Sequence, residues 1–266
     1  MTHPLIKNLV DIPESEYHAA TGSRYLSSHR LGAVIDADDC GEIFNSEKLV
    51  DASGFLRMGS MVHSYTLEGP QQFLDAYIVG GPKGPRGGVK APHQLPKSDV
   101  EAWHKKHGKP WVTPRELKQI EKMAASVWEK GGSLFHGGWP EKVARIKFAG
   151  VNCQIRVDWI SAQGVLCDLK TCSTLDVLHE QIAKFRYIRQ LAFYQTILAL
   201  ATNHNPLPVV IIGVEKRKPY RAKLVKIQQP KIDQWRRRIF DYMETLYQYL
   251  ENVEGEDRCQ ALKLLN

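Results

Sequence analysis

Two aspartates and a lysine lie in two short segments that are rich in apolar residues. Asp158 stands in "IRVDWIS", and Asp168 and Lys170 stand in "VLCDLKTC". A short turn separates the segments, so they are expected to pair as an antiparallel hairpin. If the loop runs from Ser161 to Val165, Asp158 lies opposite Asp168, and Lys170 shares the face of Asp168. This register brings two carboxylates and an ammonium group together, whereas a loop one residue shorter would separate them.

Two carboxylates that face each other in a partly buried setting repel, and one retains a proton unless a cation joins them. A hard divalent ion, Mg²⁺ or Mn²⁺, is the natural partner for oxygen ligands. A lysine beside such an ion could orient or deprotonate a water molecule, or steady a phosphate oxygen. Acting as the base would require a lowered lysine pKa. The alternative is a structural Asp–Lys ion pair at a sheet edge, because so short a pattern has many chance matches.

Three further polar side chains are candidates for the same site. His63 lies in "GSMVHSYTLEG", where an imidazole could supply a third metal ligand, although a single histidine on a helix is more often an ordinary packed residue. Gln190 and Tyr194 are four residues apart in "IRQLAFYQ" and therefore share one helix face. Their amide and phenol groups suit contacts with a scissile phosphate. The alternative is a polar stripe that faces solvent.

The elements that would position these residues follow from periodicity, caps and turns. Helices are predicted near residues 45–69, from Thr113 to the "KGG" at 130–132, from about Leu178 to Thr202, and from about Pro230 to Glu251. Strands are predicted in "KVARIKFAG", "NCQIRVDWIS", "GVLCDLKTC", "PLPVVIIGVEK" and "RAKLVKI". This order indicates an α/β fold, with a central mixed sheet flanked by helices. The length suits a single domain over residues 1–266.

A segment rich in Gly, Pro and Lys covers about residues 79–97. Its composition predicts a flexible surface loop. It matches a phosphate-cradling loop weakly, because no G-K-[ST] follows it and no helix opens directly from it.

The chain carries a formal net charge of +7, which fits a polyanionic partner without requiring one. Basic residues cluster with Trp or Tyr in several segments, where cations could meet phosphates while rings stack on bases. The alternative, for a segment such as "WRRRIF", is the solvated face of an amphipathic helix. The residues predicted to contact DNA are Lys83, Arg86, Lys216, Arg217 and Lys218.

The five cysteines form no C-x-x-C pair, and their odd number argues against a disulfide framework and fits a reducing compartment. Cys153, Cys167 and Cys172 lie among apolar residues and are expected to be buried. The first residues contain no apolar signal-peptide core, and "PLPVVIIGV" is too short to cross a bilayer. These features predict a cytoplasmic protein with no membrane partner.

The order His63, Asp158, "DLK" at 168–170, and Gln190-x-x-x-Tyr194 resembles the PD-(D/E)XK nuclease superfamily in its RecB-like branch. The stretches "YHAATGSRYLSSHRL", "MGSMVHSYTLEGPQQF", "VDWI" and "KFRYIRQLAFYQ" are similar to the RecE-like (exonuclease VIII) and phage exonucleases. The resemblance spans about residues 17–226. The individual motifs are short, but their joint order and spacing are specific.

The resemblance implies a Mg²⁺-dependent exonuclease, with Mn²⁺ able to substitute, that degrades linear double-stranded DNA 5′ to 3′ and leaves 3′ single-stranded tails. It further implies a closed homo-oligomeric ring around the DNA and a single-strand annealing protein as partner in phage-type recombination. His63, Asp158, Asp168 and the Leu169 carbonyl would bind metal, and Glu141 occupies a position where relatives often have an acid. Lys170 would activate water, while Gln190 and Tyr194 would position Lys170 and the phosphate. Cys259 alone near the C-terminus predicts no iron–sulfur cluster.

Two other functions remain open. One is a catalytically idle module of the same fold that binds DNA ends; the presence of Asp158, Asp168 and Lys170 speaks against it. The other is an endonuclease of restriction type, against which the Gln190–Tyr194 pair weighs.

Overall fold

The computed structural model describes residues 3–20, 24–45 and 54–266. The helices in chain order are α1 (Glu14–Ala20), α2 (Ser28–Ala37), α3 (Glu42–Asn45), α4 (Gly54–His63), α5 (Pro70–Ala76), α6 (Lys97–His107), α7 (Pro114–Phe135), α8 (Leu178–Lys184), α9 (Tyr187–Thr202), α10 (Gln229–Asn252) and α11 (Arg258–Leu265). The strands are β1 (Ile78–Val79), β2 (Trp111–Val112), β3 (Trp139–Phe148), β4 (Val151–Ile160), β5 (Leu166–Cys172), β6 (Val209–Glu215) and β7 (Ala222–Ile227).

In the described part of the chain, five strands form one sheet in the order β3-β4-β5-β6-β7. The β3–β4, β4–β5 and β6–β7 pairs are antiparallel, and β5–β6 is parallel. The parallel pair is connected through α8 and α9, because a parallel connection must return to the other end of the sheet. Strands β1 and β2 form a separate two-stranded sheet. The predicted mixed sheet is confirmed.

Helices cover both faces of the sheet, each over its own apolar core. One core contains buried side chains of α2, α9, α10 and α11, and the other contains those of α4, α5 and α7. The strands have few exposed positions at their centres for this reason, and their apolar runs are typical of a sheet buried on both faces. Cys153, Cys167 and Cys172 are buried thiols in these cores, as predicted.

The hairpin between β4 and β5 has the predicted five-residue loop. Trp159 pairs with Cys167 and Ile160 pairs with Leu166. Continuing this register by one step sets Asp158 opposite Asp168, and the ladder ends at that step. The two strands therefore part at the point where the charges meet.

Strand β4 does not alternate strictly between the two faces. Ile155, Val157 and Ile160 contribute to one core, while Trp159 contributes to the other. The expected two-residue period is thus broken between Val157 and Trp159, at Asp158.

The helix predicted over 178–202 is two helices, which corrects the sequence-based prediction. Helix α8 ends at Lys184 and α9 begins at Tyr187. Arg186 between them has a left-handed backbone with φ of 55°. A regular helix cannot continue through that conformation.

Helix α7 begins at the predicted capping box, in which Thr113 and Glu116 each bond the backbone of the other. It does not stop at the predicted "KGG" but runs on to Phe135. Gly131 is buried, and a Cβ there would lie 2.5 Å from the ring of Phe135. The glycine therefore makes room for that ring instead of ending the helix.

Two remaining segments agree in part with the predictions. The helix predicted near 45–69 appears as α4 followed by a π-helical segment, Ser64–Glu68, while residues 46–53 lie outside the described residues. The Gly/Pro/Lys segment has a short bridge between Lys83 and Val89, and Trp111 Nε1 donates to the Lys90 carbonyl at 2.7 Å. Its flexibility stays a prediction. Within the described ranges, no helix combines the length and apolar character needed to cross a bilayer.

Candidate active site

A cluster of one imidazole and two carboxylates lies where β3, β4 and the end of α4 meet. Ligand atoms of His63, Glu141 and Asp158 all lie within 4.8 Å of one another. His63 Nδ1 is 3.5 Å from Asp158 Oδ2. All three side chains are partly exposed, so a ligand can reach them from solvent.

Close packing of α4 on β5 brings His63 to the sheet. A Cβ at Gly59 would lie 3.3 Å from Thr171 Oγ1, so a larger residue there would press against the strand. His63 ends the regular helix, and the π-helical segment follows it directly. Such wider turns are frequent at functional sites.

Glu141 is held by a strained backbone and by Arg156. Its φ is 51°, a conformation that costs a residue with a side chain about 1–2 kcal/mol. Pairs on both sides, Pro140 with Trp159 and Lys142 with Val157, bracket Glu141 and Asp158, which therefore face each other across an interrupted ladder.

Arg156 anchors this carboxylate. Its Nε donates to Glu141 Oε2 at 2.6 Å, and its Nη1 donates to the Ile12 carbonyl at 3.0 Å. Glu68 lies 3.8 Å from Nη2 of the same guanidinium. The Arg156 guanidinium thus links the N-terminal segment, β3 and the π-helical segment beside the cluster.

Asp168 and Lys170 form a buried ion pair beside the cluster. Lys170 Nζ donates to Asp168 Oδ1 at 3.0 Å and lies 2.9 Å from Oδ2. Asp168 is 1% exposed, and its Oδ2 accepts no hydrogen bond of good geometry from the described residues. Lys170 Nζ also stands 4.8 Å from the centre of the Tyr187 ring. The ammonium group is therefore held between a carboxylate and an aromatic face.

The Asp158 side chain binds a backbone N–H of β5 at the point where the β4–β5 pairing ends. Its Oδ2 accepts a hydrogen bond from the backbone N–H of Leu169 at 2.7 Å. The bond fixes the side chain where β4 and β5 separate. It also ties Asp158 to the residue between Asp168 and Lys170. The metal role predicted for the Leu169 carbonyl stays a prediction.

Gln190 and Tyr194 meet on α9, as their spacing indicated. Gln190 Nε2 donates to Tyr194 Oη at 3.1 Å. Burial raises the pKa of Tyr194 well above its ordinary value, and the charges of Asp158 and Asp168 add to this effect. The phenol therefore stays protonated and lies within electrostatic reach of both carboxylates. The pair is not a stripe open to solvent, because Tyr194 is buried.

The site has more negative charge than its surroundings favour. Burial and, after it, the charge of Asp158 raise the pKa of Glu141 to about 8, although Arg156 acts to lower it. Burial likewise raises the pKa of Asp168 to about 6, with Asp158 opposing the effect of Lys170. Burial lowers the pKa of Lys170, but the charges of Asp168 and Asp158 outweigh it, so this pKa is raised overall. With Asp168 and Asp158 as its charged neighbours, Lys170 is therefore a cation at neutral pH. Its role as a base stays a prediction, because that role requires a pKa lowered by the charge of a bound metal.

These residues suit a hard divalent cation. The donors are carboxylate oxygens and one imidazole nitrogen, and Asp168 Oδ2 is a buried oxygen that lacks a hydrogen-bond donor. Such donors are those that Mg²⁺ and Mn²⁺ accept. A cation would also remove the repulsion that raises the carboxyl pKa values. The site therefore has suitable ligand atoms for a metal ion, and the repulsion between its carboxylates favours binding of a cation.

The residues predicted to contact DNA lie at the surface. Lys83 and Arg86 are exposed in the Gly/Pro/Lys segment, and Arg217 and Lys218 are exposed after β6, with Lys216 half-buried. Lys218 also lines a cleft of about 470 Å³ beside α7, none of whose lining residues is acidic. The other cations of this cleft are Arg115, Lys118 and Lys122. The α7 cations were missed in the sequence because helical spacing alone does not show which neighbour they face.

Sequence reasoning also missed Arg156, Glu68 and Tyr187. Arg156 stands two residues before Asp158 in the quoted strand, and this spacing was the available signal. Nothing local marks Glu68 or Tyr187, since each reaches the site through a turn or helix break that the sequence pattern does not predict.

Comparisons with known proteins agree with this geometry. No curated protein matches the chain. The crystal structure of a "putative exonuclease" from Eubacterium rectale superposes with a TM-score of 0.60 and 17% sequence identity, covering 92% of this chain and 89% of that one. At this identity the likeness concerns the fold. The family described as a PDDEXK-like domain of unknown function (DUF3799) matches residues 44–266. This region is most of the chain and includes the whole cluster from His63 to Tyr194. The protein therefore belongs to that PDDEXK-like family.

Proposed function

We propose that the protein is a metal-dependent nuclease that hydrolyses phosphodiester bonds of DNA. The convergence of His63, Glu141 and Asp158 beside the Asp168–Lys170 pair carries this proposal. Membership in a PDDEXK-like family supports it, as does a similar fold in a protein titled a "putative exonuclease". The finer proposal is a RecE-like exonuclease that uses Mg²⁺, or Mn²⁺ in its place, and degrades linear duplexes 5′ to 3′.

In this proposal His63, Glu141, Asp158 and Asp168 hold the ion, and the Leu169 carbonyl can add an oxygen. A divalent ion bound there supplies charge neutralisation at the scissile phosphate and a lowered pKa for a bound water. The protein's own contribution is to hold the carboxylates in fixed positions. Arg156 and the Leu169 N–H perform this task for Glu141 and Asp158 respectively.

In this proposal Lys170 activates the attacking water or steadies a phosphate oxygen with its charge. Asp168 and the Tyr187 ring orient its ammonium group beside the cluster. Gln190 and Tyr194 form the wall of the site on α9, where the protonated phenol can donate a hydrogen bond. Preorganised donors of this kind stabilise developing charge in the transition state.

The test is release of nucleotides from linear duplex DNA with Mg²⁺, with Mn²⁺ and with EDTA. We expect activity with either metal and none with EDTA. Asp158→Asn should lower the rate on the order of 10³-fold or more, because a metal carboxylate contributes several kcal/mol to transition-state stabilisation. Asp75→Asn, at an exposed carboxylate on α5, is the matched control and should keep full activity.

Two further substrates separate the alternatives. A covalently closed circle should remain intact, and its cleavage would instead indicate an endonuclease. Duplexes labelled at the 5′ or 3′ end should lose the 5′ label first if the polarity is 5′ to 3′. Tight binding of DNA ends without hydrolysis in either metal would indicate an idle end-binding module.

The proposal includes assembly and partnership. A homo-oligomeric ring around double-stranded DNA would keep the enzyme on its substrate, and a single-strand annealing protein would take up the 3′ tails. Light scattering with size-exclusion chromatography measures the first. Co-purification with the annealing protein measures the second, and a monomer under active conditions would refute the ring.

A further inference from the structure

An aromatic side chain is exposed where α8 and α9 meet. Phe185 is 52% exposed, more than Phe240 at 45% or Trp128 at 39%. The left-handed backbone of Arg186 breaks the helix directly after it. Phe185 therefore stands at a corner of the chain instead of on a helix face that packs against the core.

A line of contacts connects this ring with the candidate active site. The rings of Phe185 and Tyr187 are stacked, with centroids 5.7 Å apart and an angle of 30° between their planes. Lys170 Nζ lies 4.8 Å from the centre of the Tyr187 ring and hydrogen-bonds to Asp168. The exposed ring is thus a few nucleotide steps from the catalytic ammonium, since successive nucleotides of a duplex strand are about 3.4 Å apart along its axis.

Two cations flank the exposed ring. Lys184 and Arg186 are both exposed, and Lys184 Nζ stands 5.7 Å from the centre of the Phe185 ring. A ring between two cations offers a π-face for a base and charges for the adjoining phosphates. An apolar protein partner would not favour cations at the centre of its contact, because such interfaces are depleted of charged residues at their core.

We propose that Phe185, supported by Tyr187, is a stacking platform for a nucleobase within a few nucleotides of the scissile phosphate. This inference rests on the proposed nuclease function and names how that site holds its substrate. A terminal nucleotide that enters the site must leave its neighbours in the duplex, which costs a few kcal/mol. Stacking on Phe185 offsets that loss for any of the four bases, because every base has a π-face. Phe185 is therefore a residue that positions the DNA end and has no part in the chemistry itself.

A double-mutant cycle between the protein and the DNA tests the platform. Binding of a blunt duplex is measured by fluorescence anisotropy in EDTA, so that the DNA stays intact. An abasic nucleotide replaces each of the first few positions from the end in turn. Phe185→Ala should weaken binding of the intact end about 5- to 150-fold, the range for the loss of one stacked base. At one abasic position the wild type should lose the same factor, and Phe185→Ala should lose nothing more.

Matched variants distinguish the effect of the aromatic ring on DNA binding from the effect of an apolar side chain in general. Phe185→Trp should retain the affinity of the wild type, whereas Phe185→Leu should behave like Phe185→Ala because it lacks a π-face. Leu200→Ala, at a side chain of α9 that is 53% exposed, should bind every substrate as the wild type does. Thermal unfolding of each variant shows that a loss of affinity is not a loss of fold.

Three results would overturn the proposal. The first is additive losses at every abasic position, and the second is full affinity in Phe185→Leu. The third is a smaller oligomer in Phe185→Ala by light scattering, which would assign the ring to a contact between copies of the chain. The two proposals fail separately, because an inactive wild type refutes the nuclease, whereas an active wild type without coupling refutes the platform alone.

Discussion

At the scale of single residues, Glu141 combines burial, a left-handed backbone and a second carboxylate opposite it. Each feature is unfavourable on its own, and strain of this kind concentrates at functional sites. Arg156 compensates for part of the charge, and a divalent cation would compensate for the rest. The residue is therefore better suited to ligand binding than to stability.

The first prediction concerns pH. The pKa of Glu141 is raised from 4.5 to about 8, so the folded protein favours its protonated form. Its contribution to stability is complete below pH 4.5 and is lost as the pH rises through about 8. Because binding of a cation requires the ionised form, Mg²⁺ or Mn²⁺ should raise the unfolding midpoint more at pH 8 than at pH 6. Thermal unfolding with each ion and with EDTA measures this difference.

Glu141→Gln should reduce both the pH dependence and the effect of the cation in the same experiment. Glu244→Gln, at an exposed position of α10, is its control. An equal response to cations in Glu141→Gln and the wild type would show that Glu141 is not a ligand.

The second prediction concerns Tyr194. Tyr194→Phe removes the hydroxyl that accepts from Gln190 and faces the carboxylates. If that hydroxyl donates to a charged substrate oxygen, its loss should lower the single-turnover rate about tenfold or more, as for a hydrogen bond of 1.5–3 kcal/mol to a charged group. Tyr247→Phe on α10, whose hydroxyl bonds Glu251, should leave the rate unchanged. An unchanged rate in Tyr194→Phe would assign the phenol to packing.

At the scale of elements, the β3–β4 hairpin carries two residues of the site, Glu141 on β3 and Asp158 on β4. Its two turn residues, Ala149 and Gly150, have φ of 46° and 81°, as a two-residue hairpin turn of type I′ requires. Gly150 fits because a Cβ there would lie 2.3 Å from the Tyr247 ring. Ala149 has no such advantage, since alanine does not favour a positive φ.

The third prediction follows from this turn. Ala149→Asn should stabilise the protein by about 0.5–1 kcal/mol, because asparagine adopts the left-handed conformation more readily than alanine. Gly150→Ala should destabilise it through both strain and the clash with Tyr247. Urea unfolding measures the free energy of unfolding of each variant. The nuclease activity of the folded protein should be unchanged in both variants. Destabilisation by Ala149→Asn would contradict the turn assignment.

At the scale of the whole molecule, a basic cleft lies on the surface of a chain whose candidate site is rich in carboxylates. The chain has a net charge of +7. Four of its basic residues line the cleft between α7 and the segment after β6: Arg115, Lys118, Lys122 and Lys218. Gln119 ties the two parts together by donating to the Lys216 carbonyl at 2.7 Å. A duplex bound near the site could be held by such a surface without base recognition.

The fourth prediction concerns salt. If Lys118 and Lys122 contact phosphates, replacing both with Gln should reduce the slope of log affinity against log salt by about 1.8, from ~0.9 for each phosphate contact. The cost should be the same for different DNA sequences, because phosphate contacts carry no sequence information. Lys97→Gln, at an exposed lysine of α6, serves as the control. A slope equal to that of the wild type would remove the cleft from the DNA path.

Local sequence patterns were sufficient to predict most elements and the central hairpin. The apolar strands, the capping box at Thr113 and the spacing of Asp158, Asp168 and Lys170 each depend on neighbours within a few residues. The same holds for Gln190 and Tyr194, whose meeting requires a single helix. The sequence left the length of the loop open, and the five-residue loop is the alternative that the structure has. This length sets the register, because turn length determines strand pairing in a hairpin.

Tertiary structure alone decided which side chains meet in the cluster of one imidazole and two carboxylates and which form the ion pair. Glu141, given less weight in the sequence, stands with His63 and Asp158, while Asp168 is engaged by Lys170. The broken alternation at Asp158, the positive φ of Glu141 and the corner at Arg186 contradict local preference. Contacts between residues far apart in the chain, such as Arg156 with Ile12 and Glu68, outweigh those preferences. Short-range periodicity carries no information about them, since their energies come from packing and charge that exist only in the folded chain.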